Sequence, residues 1–237
     1  GQLSYVALMD ARSIAASALN GGAITPATDL PEIPEDPSFM DYRYDDSAYR
    51  ARVYYGVGQP HPEEALVFGP NIADWPEQIP MPENLLLEVA SAIYDPLTTT
   101  DELIPSGETS SYRSNPLRLS EFALSRKDPQ YVPRAKAIQA VEQQRRKDPA
   151  SAGEQLAGYD PTVTGFGSVV MSIRPGDGSA REQAASCQRV LGGCANICLE
   201  YATKRYRSNV INWGMVPFTV ENIETLNIQP GDRIYVP

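Results

Sequence analysis

The chain has 237 residues, a formal net charge of −10 and 42% hydrophobic residues, enough for one large domain or a domain with an appendage. The acidic balance argues against a nucleic-acid partner, since phosphate binding needs a basic face. No apolar run reaches the roughly 18 residues of a membrane span, and no secretory signal opens the chain. Three cysteines without framework spacing fit a reducing cytoplasm. The single histidine lies in the Pro-rich run Gln59-Pro60-His61-Pro62, a poor place for a metal site or a Ser–His triad.

The chain opens at Gly1 without Met and enters structured sequence at once, so it reads as a portion of a longer protein. Residues 5–20 have a helical pattern. Val6, Ala7, Met9, Ile14, Ala15 and Ala18 line one apolar side, and Gly21-Gly22 stop the helix. Residues 26–48 are rich in Pro, Asp and Glu and read as a linker or wrapping arm. Short strands are expected at 51–58 and 64–69, and a stronger one at 85–93. A polar loop follows at 98–107, shaped by Pro105 and Gly107. Helices are expected at about 117–125 and 133–146, with a second polar loop at 148–162. Beyond the apolar run 167–173 come a glycine-flanked turn and a helix. A short buried strand at 195–199 and a helix at 202–212 stopped by Gly214 come next. A strand at 215–218 and, within 228–236, a Pro-Gly turn feeding a strand close the chain. Alternating strands and helices indicate an α/β fold.

The stretch that carries chemistry is Gly176-Asp177-Gly178-Ser179-Ala180-Arg181-Glu182-Gln183-Ala184. A strand enters a turn whose glycines permit unusual backbone shapes, and a helix is expected to start with Ser179 as its N-cap. The first turn offers unpaired N–H groups and the positive end of the helix dipole. Arg181 adds a planar fork suited to a carboxylate. Together these make a site for an anionic small molecule. An ordinary capped helix with a solvated Arg181 is the alternative that the local pattern leaves open.

GDGSAREQA resembles the GxGSSREHA motif of aconitases and the related isopropylmalate and homoaconitate enzymes. The likeness continues through Arg189 to Gly193, through Tyr206-Arg207-Ser208-Asn209 and through Trp213 to Pro217. Upstream, TTTDELIPSG resembles the family's TTDHISAAG loop. Arg113 follows Asp101 by twelve residues, about where the family places a substrate-binding Arg. The resemblance implies the C-terminal, swivelling β/β/α domain of an iron–sulfur hydratase. Residues 1–28 would be the tail of an upstream catalytic domain, 29–65 a linker or wrapping arm, and 66–237 the swivelling domain. It further implies a hydro-lyase that dehydrates and rehydrates a hydroxy-polycarboxylate such as citrate or isocitrate. Ser179 would be the base, Arg181 and Arg113 carboxylate clamps, and Asp101 a polar support. A [4Fe–4S] cluster would be held by ligands outside this chain, which would itself carry neither metal nor cofactor and would be inactive alone.

Three positions depart from the family pattern. Ala180 stands where a second serine is usual, Glu102 where the loop has histidine, and Gln183 where the motif has histidine. Losing one hydroxyl donor weakens a tricarboxylate site by roughly 1–3 kcal/mol or shifts it to another acid. Cys187, Cys194 and Cys198 are spaced C-x6-C-x3-C, which is not a usual cluster run, and read as buried, inert thiols. Lys204-Arg205-Tyr206-Arg207 is a basic helix start that reads equally as a contact to substrate or to upstream domains and as a solvated face that pairs with acidic loops. A noncatalytic binding or regulatory protein on the same fold is the second reading, and a stand-alone small subunit a third.

Overall fold

The computed structural model describes residues 6–29, 43–47, 50, 58–65 and 67–237. The chain divides into two compact units, Gly1–Ala65 and Leu66–Pro237. Among the described residues no helix is long and apolar enough to cross a membrane.

In the first unit, helix α1 spans Ala11–Leu19. It is shorter than the expected 5–20 because Asp10 caps it. The Asp10 carboxylate accepts from the amides of Arg12 at 3.0 Å and Ser13 at 3.2 Å, and from the Ser13 hydroxyl at 2.7 Å. Val6, Ala7 and Met9 therefore precede the helix and add nothing to its apolar side. Gly21 and Gly22, both at positive φ, end it as expected. Of the 26–48 arm, residues 27–29 form a 3-10 turn, and 30–42, 48 and 49 lie outside the described residues. The strand expected at 51–58 also lies outside them, apart from residue 58. At 64–69 the described residues form no strand.

The second unit is built on a five-stranded sheet. Its strands are β1 (Asn84–Ile93), β3 (Thr164–Ser172), β5 (Gly193–Cys198), β6 (Val216–Thr219) and β7 (Arg233–Val236), in the order β6-β5-β3-β1-β7. The β1, β3, β5 and β6 pairings are parallel, and β7 runs antiparallel on β1. Every residue of the central β3 is buried, which explains its unbroken apolar and small-residue run. Leu85, Leu87 and Val89 of β1 face one layer with Val169 and Met171 of β3. Leu86, Ala90, Phe166 and Val170 face the other. This alternation is the period-2 rule of a strand. Each fully buried leucine of this kind contributes about 2 kcal/mol.

Helices cover one face only. They are α2 (Thr100–Leu103), α3 (Pro116–Ser120), α4 (Tyr131–Lys147), α5 (Arg181–Val190) and α6 (Lys204–Asn212). Their buried residues, among them Leu103, Leu119, Tyr131, Ala185 and Tyr206, share one core with Leu86 and Phe166. The opposite face is closed by Ile223 and Ile228 from the loops before β7. Helix α3 stops at Ser120, earlier than the expected 125, and turns continue to Lys127. There the buried Leu124 takes a left-handed φ of 55°, and its amide donates to Leu103 O at 2.9 Å. Helix α4 is tied to the sheet by a buried pair. Glu142 accepts from Arg145 at 2.7 Å and from the Phe166 amide at 2.8 Å. The result is a mixed α/β fold, as the alternation of elements implies.

Candidate functional site

Two stretches 70 residues apart meet in a second, very small sheet. Strand β2 (Thr98–Thr99) runs parallel to β4 (Pro175–Asp177), with Thr99 opposite Asp177. The loop read as TTTDELIPSG and the turn read as GDGSAR thus share one rim. Both glycines of the turn are needed there. Gly176 has φ 95°, and a Cβ on it would meet the Tyr206 ring at 2.3 Å. Gly178 has φ 127°, and a Cβ on it would meet Thr100 Oγ1 at 2.2 Å. Any other residue at either position would be strained and would push α6 or α2 away.

The structure corrects the expected cap. Ala180, not Ser179, occupies the N-cap of α5, and no side chain caps that helix. Gly178 turns the chain so that the Ala180 carbonyl accepts the first helical bond, from Ala184 N at 2.9 Å. Ser179 is left one residue ahead of the helix. It is exposed, and its hydroxyl makes no hydrogen bond among the described residues. A serine spent as a cap would have its oxygen occupied; this one is available.

Ser179 lies between two open hollows. The first, about 190 Å³, is walled by Thr99, Thr100, Asp101 and Ser106 from one side and by Asp177 to Ala180 from the other. The second, about 380 Å³, is walled by Ser179, Arg181, Glu182, Lys204, Arg205, Ser208 and Asn209. Arg181, Lys204 and Arg205 form no ion pair among the described residues. Arg181 Nε is buried with no hydrogen-bond partner. The one carboxylate in this hollow, Glu182, accepts from Trp213 Nε1 at 3.1 Å. The hollow also collects the N-terminal ends of α5 and α6, whose dipoles add positive potential.

Helix α6 is fixed against the turn. Thr203 caps it by accepting from the Tyr206 amide at 3.2 Å, and the Thr203 hydroxyl donates to Gly176 O at 3.0 Å. Behind the turn lies a closed, buried ring of hydrogen bonds. Tyr206 donates to Asn196 Oδ1 at 2.8 Å, Asn196 Nδ2 to Gln188 Oε1 at 2.7 Å, and Gln188 Nε2 to the Tyr206 hydroxyl at 2.9 Å. One residue each from α6, β5 and α5 is locked in place, and a fully satisfied buried network is rigid.

The other residues singled out in the sequence fall as follows. Asp101 walls the first hollow, and its carboxylate is engaged. It accepts from the Ser106 amide and hydroxyl, both at 2.9 Å, and from Arg126 at 2.9 Å. These Ser106 bonds, helped by Arg126, hold its pKa below the ordinary value. Glu102 does not present a charge to the hollow. Burial pushes its carboxyl up, but the Thr99 amide and hydroxyl and the Lys127 ammonium prevail and hold it below its ordinary value. With Thr99 it forms a capping box on α2. The T-x-x-E spacing of Thr99 and Glu102 is a legible signal for that role.

Arg113 is not brought to Ser179. It is exposed and walls a separate small hollow with Trp75, Glu182 and Gln183. Arg113 follows a 3-10 turn, Ser110–Tyr112, and precedes the Asn115 cap of α3. Lys204 and Arg205, by contrast, share the hollow of Ser179 and Arg181. Their signal was a pair of cations directly after a Thr N-cap.

Cys187, Cys194 and Cys198 are buried, and burial pushes all three thiols up, Cys198 to about 12. Among the described residues no group of three or more His, Cys, Asp and Glu side chains is placed to hold a metal ion.

No protein-family model matches the chain, and no curated protein sequence does. Among solved structures the chain is similar to a crystal structure of 3-isopropylmalate dehydratase from Methanocaldococcus jannaschii. The identity is 20%, the match covers 65% of this chain and 71% of that one, and the TM-score is 0.43.

Proposed function

We propose that this chain is the swivelling portion of an aconitase-like hydro-lyase that dehydrates and rehydrates a hydroxy-polycarboxylate. The observation that carries the reading is the Ser179 hydroxyl. It makes no hydrogen bond among the described residues, and Ser179 shares a hollow with Arg181, whose buried Nε is without a partner there. The motif resemblance over GDGSAREQA and TTTDELIPSG supports the same role.

In this reading Arg181 grips a substrate carboxylate and presents the adjacent C–H to Ser179. Ser179 works as its alkoxide, stabilised by Arg181 and the free N–H groups of the first turn of α5. The alkoxide takes the proton. The C–H electron pair becomes the new C=C bond, and the hydroxyl on the neighbouring carbon leaves with its own electron pair. Rehydration runs the same steps in reverse, on either carbon, and so isomerises the acid. Asp101, bound to Ser106 and Arg126, keeps the wall of the first hollow in shape. Arg113 walls a neighbouring hollow, which shares Glu182 with the hollow of Arg181.

The resemblance also implies a [4Fe–4S] cluster. The buried, high-pKa thiols of this chain do not fit one, so its ligands belong to upstream domains of the same protein. Those domains are the partners the reading requires, and the chain alone is expected to lack turnover. Free thiols throughout agree with a reducing, cytoplasmic setting. A second reading, an anion-binding regulatory protein on the same fold, is favoured by Ala180, which leaves the first hollow one hydroxyl short.

The test uses the full-length protein, supplied anaerobically with iron and sulfide. Citrate, isocitrate and isopropylmalate-type acids are added in turn, and the ultraviolet absorbance of the conjugated alkene is followed. Catalytic appearance of that signal with one of these acids supports the hydro-lyase. Binding of the acids by cluster-loaded protein without any alkene would overturn it in favour of the regulatory reading.

A further inference from the structure

Three cations line one hollow in a chain whose net charge is −10. Elsewhere in the second unit Arg126, Lys127, Arg134, Lys136 and Arg145 each meet a carboxylate. Arg181, Lys204 and Arg205 make no ion pair among the described residues; Arg113, Arg118, Arg146, Lys147, Arg189 and Arg207 make none either, but Arg181, Lys204 and Arg205 stand together at two helix starts. Glu182, the one acid among them, is turned to the indole of Trp213. Leaving like charges together beside two positive helix ends is unfavourable unless an anion completes the set.

The two arms of this arrangement sit on different elements. Arg181 belongs to the start of α5, and Lys204 and Arg205 to the start of α6. Their separation is fixed. Thr203 bonds to Gly176 O, the Ala202 amide donates to Pro175 O at 2.9 Å, and the Tyr206–Asn196–Gln188 ring joins the helices from behind. Cations held on rigid elements at a set separation select a ligand by the spacing of its negative groups.

We infer that Lys204 and Arg205 form the second anion clamp of the Ser179 site, so that its ligand carries at least two negative groups, one held by Arg181 and one by the start of α6. This rests on the reading of the Ser179 hollows as the substrate site. It replaces Arg113, which walls a different hollow, as the partner of Arg181. The ligand class is a di- or tricarboxylate; a monocarboxylate engages one arm only.

The experiment titrates tricarballylate, a tricarboxylate with no hydroxyl to eliminate, into the full-length protein at low salt and measures the binding heat. Acetate is the one-armed comparison. The double variant Lys204→Ala/Arg205→Ala is expected to bind tricarballylate at least about 10-fold more weakly, a loss of about 1.4 kcal/mol. Its acetate binding changes little, so the preference for the tricarboxylate collapses. Arg146→Ala/Lys147→Ala, which removes the same charge from the exposed end of α4, is expected to stay within about 2-fold of wild type. Lys204→Gln and Arg205→Gln, made singly, keep the helix start intact if the double variant fails to fold. The clamp is overturned if the double or both single variants bind tricarballylate like wild type, or if they lose no more than the α4 variant. It is equally overturned if Arg113→Ala alone abolishes the preference. Turnover separates this from the hydro-lyase reading. Tricarballylate bound through Lys204 and Arg205, with no hydroxy acid converted, ends the hydro-lyase and leaves the clamp. Conversion with a KM indifferent to both residues does the reverse.

Discussion

The root of the Tyr206 ring packs against Gly176, so closely that a Cβ on the glycine would stand 2.3 Å from it. This contact joins the turn that presents Ser179 to the helix that presents Lys204 and Arg205. The absence of one side chain therefore sets the distance between the two halves of the candidate site.

Gly176→Ala should destabilise the second unit by about 3 kcal/mol or more. The new methyl meets the Tyr206 ring, and alanine resists a φ of 95°. Gly214→Ala makes the comparison. Gly214 also has a positive φ, 71°, but nothing lies within 4 Å of its missing Cβ. It should cost only about 1–2 kcal/mol. Urea unfolding of the two variants separates the steric part from the backbone part; equal losses would remove the steric role of Tyr206.

Tyr206→Phe keeps the ring and deletes the hydroxyl. Asn196 Oδ1 then loses its donor, and Gln188 loses one of two acceptors, in a fully buried place. The expected loss is about 1–3 kcal/mol. If equilibrium unfolding shows no loss, the hydrogen-bond ring is not what locks α5, β5 and α6 together.

Asp101 makes stability depend on pH with a definite sign. The Ser106 amide and hydroxyl, and then Arg126, hold its folded pKa below the ordinary 3.8. A carboxylate depressed on folding stabilises above its unfolded pKa, and the benefit is lost as pH falls through the folded pKa. Asp101→Asn should therefore be less stable than wild type at pH 7. The gap should close as the pH is lowered below about 4. Thermal melts of both proteins between pH 7 and pH 2 measure it, and a gap that widens on acidification would contradict the assignment.

Much of the fold was legible from periodicity. The apolar runs at 85–93 and 167–173 are β1 and β3, the 133–146 pattern is α4, and Gly214 ends α6 at a left-handed φ. The misreadings have local causes. The apolar spacing continues ahead of Asp10 and so predicts a longer helix than α1, whose start is set by Asp10 as its N-cap. Strands β2 and β4 are two and three residues long, too short for any period to register, and their pairing depends on contacts across more than seventy residues.

The site was legible in part. The family resemblance requires the Asp101 loop and the Ser179 turn to converge, and the small sheet brings them together. Ser179 looked like a cap because serine before a helix is one in most proteins; the glycine at 178 moves the helix start onward by one residue. Glu102 departs from the family's histidine, and its role shows only in the fold, where it accepts from Thr99 and pairs with Lys127. Lys204 and Arg205 stood apart from the motif in sequence. Only the packing of α6 against Gly176 puts them in the same hollow as Arg181.

The most direct measurement is the rate of Ser179→Ala in the cluster-loaded, full-length protein, on whichever hydroxy-polycarboxylate the wild type converts, with tricarballylate binding measured in parallel. Ser179 is exposed and makes no side-chain hydrogen bond among the described residues, so the variant should fold and bind tricarballylate as the wild type does. Loss of a base that the remaining site cannot replace should lower kcat by a factor of about 100 or more. A variant that binds and turns over at the wild-type rate would show that Ser179 does not move the proton.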